Sequence, residues 1–263
     1  MLFNTTLFLV YFFPLFLIGY YLIDRRYKNL FLLISSAVFY AFGAPLFIFV
    51  IILTTLLDFY LVRLMEASPD DRKRKRLMWI SIGVNLGLLG YFKYANFFVD
   101  NINGLLKASG SSEISWLTVA LPLGISFYTF ETITYVMDVY RRVHKPLDKF
   151  SDYLLYILFF PKMIAGPIVR YHEIADQLRE RHATVDDFLH GFYRFTIGLV
   201  KKVMIADLLA PMISGYFRLN VNAFDVPTAW LISIAFVFQV YYDFSAYSDM
   251  AIGISRMLGF RLP

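Results

Sequence analysis

From Leu2 to Ile23 the chain runs 22 residues without a charge, and from Asn29 to Leu57 it runs another 29. As α-helix the first run is about 33 Å long, enough to cross a hydrocarbon core of about 30 Å. No Lys or Arg precedes it, Pro14 lies inside it and no A-x-A site follows. It therefore reads as a retained span, not a cleaved leader. The composition agrees, with 59% hydrophobic and 17% charged residues and a mean hydropathy of +0.58; ordinary globular chains carry about 25% charged residues. The 28 Phe, 19 Tyr and 3 Trp suit a lipid-facing surface with amphipathic rings at its edges. The lack of Cys excludes disulfides, Cys-ligated zinc and thiol nucleophiles. The formal charge of +5 comes without a basic stripe interleaved with exposed aromatics, so nucleic acid is not an expected partner.

The second run is too long for one straight span, and Gly43-Ala44-Pro45 divides it into a short helix, an outer turn and a returning helix. Leu77–Phe92 is the next span, where Gly83-x-x-x-Gly87 would let another helix approach closely. Asn96–Ser115 reads as an outer loop with a short amphipathic helix, and Ile114–Phe130 crosses back. Three basic clusters punctuate this order: Arg25, Arg26 and Lys28; Arg63 with Arg72 to Arg76; and Arg141, Arg142, Lys145 and Lys149. They hold 13 of the 25 Lys and Arg residues, placing those loops in the cytoplasm and the N-terminus outside.

Tyr153–Val169 is apolar but holds Pro161, Lys162 and Gly166-Pro167. Irregular backbone at membrane depth is tolerated only where protein or water surrounds it, so this segment is expected to be re-entrant. Arg170–His190 would lie along the cytoplasmic face and Gly191–Met212 would cross outward. Ser214–Asp225 would be an outer loop and Val226–Tyr242 would cross inward, leaving Asp243–Pro263 at the cytoplasmic interface. The expected fold is an all-α polytopic membrane protein of about six to eight membrane helices, one broken or re-entrant, around a polar tunnel. Residues 1–263 form a single membrane domain, or part of one.

Ionisable residues at membrane depth point to function by default. Asp243, Ser245, Tyr247 and Asp249 close an apolar segment; they line a polar cavity or cap a helix end in water. Lys201, Lys202 and Asp207 fall inside another span. Lys202 and Asp207 are five apart, an imperfect spacing for an in-helix pair, and the lysines could instead snorkel to headgroups. Lys162 and Arg170 flank the breakers of the irregular segment, and Tyr128 and Glu131 are weaker candidates. No P-loop, H-E-x-x-H or glycine-framed serine elbow occurs, and no metal site is expected. His144 and His182 sit in charged loops, His190 precedes a span, and His172 with Asp176 reads as a surface i,i+4 pair. Spacing alone identifies neither a nucleophile nor a base.

A resemblance goes further. Tyr91-Phe-Lys-Tyr94, Leu121 to Phe130 (LPLGISFYTF), Tyr135 to Tyr140 (YVMDVY) and Phe159-Phe-Pro161 resemble the membrane-bound O-acyltransferase family. So do Ala165-Gly-Pro-Ile168, Lys201-Lys202 with Ile205-Ala-Asp207, and Asp243 to Gly253 (DFSAYSDMAIG). The pattern is most similar to the alginate O-acetyltransferase branch, with the D-alanine transferase of teichoic acid synthesis a more distant likeness; Ala246 stands where the family usually has Gly. The resemblance implies acyl transfer in a bacterial cytoplasmic membrane, with no bound cofactor. The donor would be acetyl-CoA or an acyl-carrier thioester on the cytoplasmic side. The acceptor would be an envelope polysaccharide or a periplasmic acyltransferase partner. It also implies that Asp243, Tyr247 and Asp249 support the reacting end, while Lys201, Lys202 and Arg170 attract an anionic donor. The family's catalytic His follows the Leu258-Gly-Phe-Arg-Leu-Pro263 segment in a W-H pair. None of the four histidines here has that context, so the chain looks like an N-terminal fragment, inactive by itself. A transporter or flippase also needs broken helices and midplane charges, and a non-catalytic scaffold is a third reading.

Overall fold

The computed structural model describes residues 2–164, 166–217 and 225–263, and among them all regular structure is helical. Two helices, Phe47–Ala67 and Val226–Met257, are long and apolar enough to cross a membrane, and Leu7–Leu22 is a shorter apolar helix. The segments group into two compact units. One holds Met1–Ser35, Phe159–Val169 and Asp176–Pro263; the other holds Ser36–Leu158 and Arg170–Ala175.

In the second unit, the helix α2 (Lys28–Ala41) ends and α3 (Phe47–Ala67) begins on either side of Gly43-Ala44-Pro45, as the breakers require. The helix α4 (Asp71–Ala108) then runs unbroken for 38 residues, about 57 Å. The expected outer loop at Asn96–Ser115 is thus mostly helix. Its asparagines do not break the helix; they hold the chain that follows. Asn96 Oδ1 accepts from Val119 N–H at 2.9 Å and Trp116 Nε1 at 3.0 Å, and Asn103 Oδ1 accepts from Ile114 N–H at 2.7 Å. Seven residues apart, these two side chains lie on one face of α4 and satisfy the backbone of a non-helical segment. The crossing expected at Ile114–Phe130 is displaced accordingly: the helix α5 (Ile125–Tyr140) starts only after Gly124, whose φ of +74° suits glycine.

Arg74, expected in a solvated basic run, is only 3% exposed. Its guanidinium donates to Met65 O at 2.8 Å, near the end of α3, and to Val139 O and Tyr140 O at 3.3 and 3.2 Å, at the end of α5. It therefore serves carbonyls at two helix C-termini, of which Met65 O also accepts from Ser68 N–H and Val139 O from Arg142 N–H. Asp58 on α3 is buried and accepts from Ser81 Oγ and from Asn85 Nδ2, the latter at 2.8 Å, which ties α3 to α4. Gly83 and Gly87 have open space where a Cβ would go, so the small-residue spacing on α4 seats no neighbouring helix among the described residues. His172, at the start of α8 (Tyr171–Arg179), pairs through Nδ1 with Asp138 Oδ2 at 2.9 Å, and its backbone N–H donates to the same oxygen. Its partner is on α5, not the expected Asp176.

In the first unit, the N-terminal run is helical only from Leu7, as a π-turn (Leu7–Phe12) leading into α1 (Phe13–Leu22). Those 16 residues span about 24 Å instead of 33 Å, because Asn4 and Thr5 turn away to make their own hydrogen bonds. Tyr153–Val169 is broken as expected. The helix α6 (Phe150–Leu158) ends, Phe160–Met163 forms one turn (α7), and among the described residues no helix follows until Tyr171. Phe160, Lys162 and Met163 are fully buried. Ala165, part of the family-like Ala165–Ile168 stretch, lies outside the described residues.

The dominant contact of this unit is between α9 (Val185–Lys201) and α11 (Val226–Met257). A Cβ on Gly191 would meet Gly253 O at 2.6 Å, one on Gly198 would meet Ala246 O at 2.7 Å, and one on Gly253 would meet Phe195 N at 2.6 Å. The pairings of 191 with 253 and 198 with 246 make the helices antiparallel. Gly191 and Gly198 are seven residues apart, as are Ala246 and Gly253, so each pair places small residues on one stripe two turns long. Below this seam Arg181 donates to Asn29 Oδ1 at 2.6 Å and to Tyr20 Oη at 3.2 Å, with its guanidinium 4.2 Å from the Phe260 ring centre. Asp187 accepts from Thr184 Oγ1 at 2.8 Å and from Arg256 and Arg261 at 3.4 Å. The Thr184 hydroxyl and then Arg261 hold the Asp187 carboxyl below the ordinary carboxylate range. This lock is intact at neutral pH and is lost only as pH falls through that lowered value.

Candidate functional site

The helical path from α9 continues through a π-turn (Lys202–Ala206) into α10 (Asp207–Phe217). An α-helix puts residues five apart on diverging faces, but a π-turn bonds i to i+5 and brings them into line. Asp207 N–H donates to Lys202 O, and the Lys202 ammonium reaches Asp207 Oδ1 at 2.8 Å. The spacing that argues against a pair in an α-helix is here the spacing that makes one. The same ammonium donates to Asp243 Oδ1 on α11 at 2.7 Å, while Asn4 Nδ2 donates to Asp207 Oδ2 at 3.0 Å. One turn along, Lys201 Nζ donates to Asp249 Oδ2 at 2.6 Å and to Ser245 Oγ at 3.2 Å, and Arg194 Nε reaches Asp249 Oδ1 at 3.1 Å.

Three cations and three carboxylates thus form two neighbouring clusters on α9, the π-turn, α10 and α11, Lys202 with Asp207 and Asp243, and Lys201 and Arg194 with Asp249, which together are neutral. Asp243 lies 17 residues from the start of α11 and 14 from its end, about 25 and 21 Å along the axis. The helix does not close at Asp243, contrary to expectation: it continues to Met257, with Ala246, Met250 and Ala251 buried. The aqueous-cap reading of Asp243–Asp249 is therefore excluded. Charges at mid-helix are costly in lipid unless paired, and here each has a partner. Lys201 and Lys202, expected to attract an anionic donor, are both paired with carboxylates. Each ammonium faces carboxylate oxygens within 2.8 Å, so neither charge is uncompensated.

Tyr247 stacks on Phe3 at 4.5 Å between ring centres, and its buried hydroxyl finds no hydrogen-bond partner among the described residues. Lys162 is fully buried on α7. Arg170 belongs to the other unit and is exposed, with its backbone N–H on Glu173 Oε2. Among the described residues no group of His, Asp and Glu is arranged to hold a metal ion. Sequence reading missed Arg194 and Asn4. Arg194 sits seven residues before Lys201 on the same face, a signal that was available. Asn4 and Asp207 are 203 residues apart, and no local pattern could join them.

Half-buried ion pairs along the α9–α11 seam, beside a helix apolar and long enough to cross a membrane, define a polar site. Comparison with known proteins gives the family. Residues 141–262 match the model of the membrane-bound O-acyltransferase family. The chain is 43% identical over 263 residues to the probable alginate O-acetylase AlgI of Pseudomonas aeruginosa, which covers 99% of this chain and 50% of that protein. It is 33% identical over 298 residues to the peptidoglycan O-acetyltransferase of Helicobacter pylori, covering 100% of this chain and 55% of that protein. A teichoic acid D-alanyltransferase of Bacillus subtilis is 27% identical over 147 residues, 54% of this chain and 36% of its own length. The chain belongs to the membrane-bound O-acyltransferase family, and it spans about half the length of the curated relatives it matches.

Proposed function

We propose that the chain is part of a membrane-embedded O-acyltransferase that moves an acyl group, acetyl in the first instance, across the bacterial cytoplasmic membrane. A thioester on the cytoplasmic side, acetyl-CoA or an acyl carrier, loses its C–S bond. A hydroxyl on an envelope polysaccharide or a periplasmic partner gains the C–O bond, and its proton passes to the departing thiolate. A positioned base must carry that proton. We assign that base to a residue of the full-length protein outside this chain, because none of the four histidines here stands in the W-H context that the resemblance implies. The observation that carries the reading is the neutral network at mid-length of α11. It keeps polar groups at membrane depth without presenting a net charge to lipid, which suits a tunnel for neutral reacting groups. Asp243, Ser245 and Asp249 support the tunnel wall, and Lys201 and Lys202 hold those carboxylates in place.

The test is incorporation of labelled acetyl groups from acetyl-CoA into cell-envelope polysaccharide by the full-length polypeptide in membranes. Transfer is expected, and none from any thioester would contradict the proposal. The accompanying arrangement has about six to eight membrane helices, one re-entrant, with the N-terminus outside. Because α4 is about 57 Å long, its two ends should lie on opposite sides of the membrane. Cysteines introduced at Lys73 and Ser111, both exposed in a chain with no native Cys, should label from opposite sides. Labelling from one side only would refute the topology. Ser68 is buried and would make a poor reporter.

A further inference from the structure

The first unit carries, at the Lys28 end of α2, a group of cations that the polar site on α9 and α11 does not use. Tyr20, near the end of α1, is only 1% exposed and holds two of them. The Lys28 ammonium lies over its ring, 4.6 Å from the ring centre, and over the Tyr21 ring at 5.5 Å. Arg181 Nε donates to the Tyr20 hydroxyl at 3.2 Å. Both tyrosines are fixed from their far ends. The Tyr20 hydroxyl donates to Leu258 O at 2.8 Å, and the Tyr21 hydroxyl donates to Met257 O.

Two cations on one tyrosine repel each other, and such charges are kept together by an anion between them. Among the described residues no carboxylate pairs with Lys28 or with Arg181. The neighbouring acid, Glu180, is exposed and turned to Arg25 at 3.5 Å and to His182 at 3.6 Å. Asp24 is turned to the backbone N–H of Arg26. Arg25 adds a third positive charge felt at Lys28. Three cations against the single carboxylate of Glu180 leave an excess of two positive charges. Arg181 Nη1 donates to Asn29 Oδ1 at 2.6 Å, while its Nη2 is buried with no acceptor among the described residues.

The setting narrows the kind of anion. Lys28 stands five residues after the first uncharged run ends at Ile23, and Leu22, Tyr27 and Leu30 around it are exposed. The cations therefore lie where hydrocarbon gives way to headgroups, and the orientation proposed above puts them at the inner leaflet. A soluble anion would meet the charge and leave the apolar side chains bare; a phospholipid brings a phosphate and hydrocarbon together. We propose that Lys28, Arg25 and Arg181 form a binding site for the headgroup phosphate of an anionic phospholipid. Lys28 Nζ donates to a phosphate oxygen, and Arg181, fixed by Tyr20 and Asn29, supplies a standing charge. Binding is measured without turnover and so does not depend on acyl transfer.

Phosphatidylglycerol is titrated into the full-length polypeptide in neutral detergent, with thermal stability and lipid retained in native mass spectra as readouts. A ligand of the folded state raises Tm with its concentration. Phosphatidylglycerol is expected to do so saturably, and phosphatidylcholine, inorganic phosphate and coenzyme A are not. Lys28→Gln should raise the half-saturating lipid concentration about tenfold, the scale of one hydrogen bond to a charged group. Lys28→Arg keeps the charge and should retain most of the binding. Lys73→Gln, at an exposed lysine of another basic cluster, should match the parent. A parent with no shift, as when an acid elsewhere in the full-length polypeptide already pairs with Lys28, overturns the proposal. So do equal losses in Lys28→Gln and Lys73→Gln, which mean diffuse attraction, and equal protection by phosphate or coenzyme A, which means a soluble anion.

Discussion

Gly253→Ala should destabilise the protein by about 2–3 kcal/mol, whereas Gly87→Ala should stabilise it by as much as about 1 kcal/mol. Both replace a helical glycine by the best helix former, a change worth about 1 kcal/mol in favour of alanine where there is room. At Gly87 there is room, with nothing within 4 Å of the new methyl. At Gly253 the methyl would meet Gly191 O at 2.6 Å and Phe195 N and Cα at 2.6 and 2.9 Å. Those are backbone atoms, which cannot rotate away, so α9 and α11 must separate. Overpacking of this kind costs typically about 1–3 kcal/mol. Separation also stretches the ion pairs from Lys201 and Lys202 to α11, which are short because the backbones are close. Thermal unfolding of the purified protein in detergent checks the pair, and equal shifts in the same direction would contradict the seam.

Arg74→Leu should cost about 1–3 kcal/mol, and Arg76→Leu no more than about 0.5 kcal/mol. The two arginines share one basic run, but Arg74 is 3% exposed while Arg76 faces solvent. Leucine fills much of the space yet leaves Met65, Val139 and Tyr140 carbonyls without the guanidinium that serves them. An unsatisfied buried acceptor costs about 1–3 kcal/mol; Met65 O keeps Ser68 N–H and Val139 O keeps Arg142 N–H, so the loss falls mainly on Tyr140 O. Exposed substitutions away from such features usually stay within about 0.5 kcal/mol. Denaturant titration of both variants decides the matter, and equal midpoints would refute the buried role of Arg74.

Uncharged runs and their breakers carried the helical class, the Gly43–Pro45 turn and the interruption after Leu158, because those features act within a few residues of themselves. Boundaries failed where a side chain served a distant backbone: Asn96 and Asn103 read as loop residues until the segment they hold is seen against α4. Arg74 failed for the same reason, since a basic run has no local mark showing which member turns inward. Lys201, Lys202, Asp207, Asp243, Ser245 and Asp249 were legible as a group from their cost in an apolar setting. Their pairing was not, because it depends on one π-turn that shifts Asp207 into register. The glycine stripe was half legible: spacing by four drew attention to Gly83 and Gly87, while the packed glycines of α9 and α11 stand at spacings of seven.

Acyl transfer by paired variants of the full-length polypeptide tests the central claim most directly. Asp243 shares the Lys202 ammonium, whereas His172 pairs with Asp138 on α5. With labelled acetyl-CoA as donor and envelope polysaccharide as acceptor, Asp243→Ala should lower transfer by at least about tenfold, or about 1.4 kcal/mol. His172→Ala should retain most of the activity. If His172→Ala abolishes transfer while Asp243→Ala, folded and in the membrane, leaves it at the parent's level, the functional site is not the α9–α11 network.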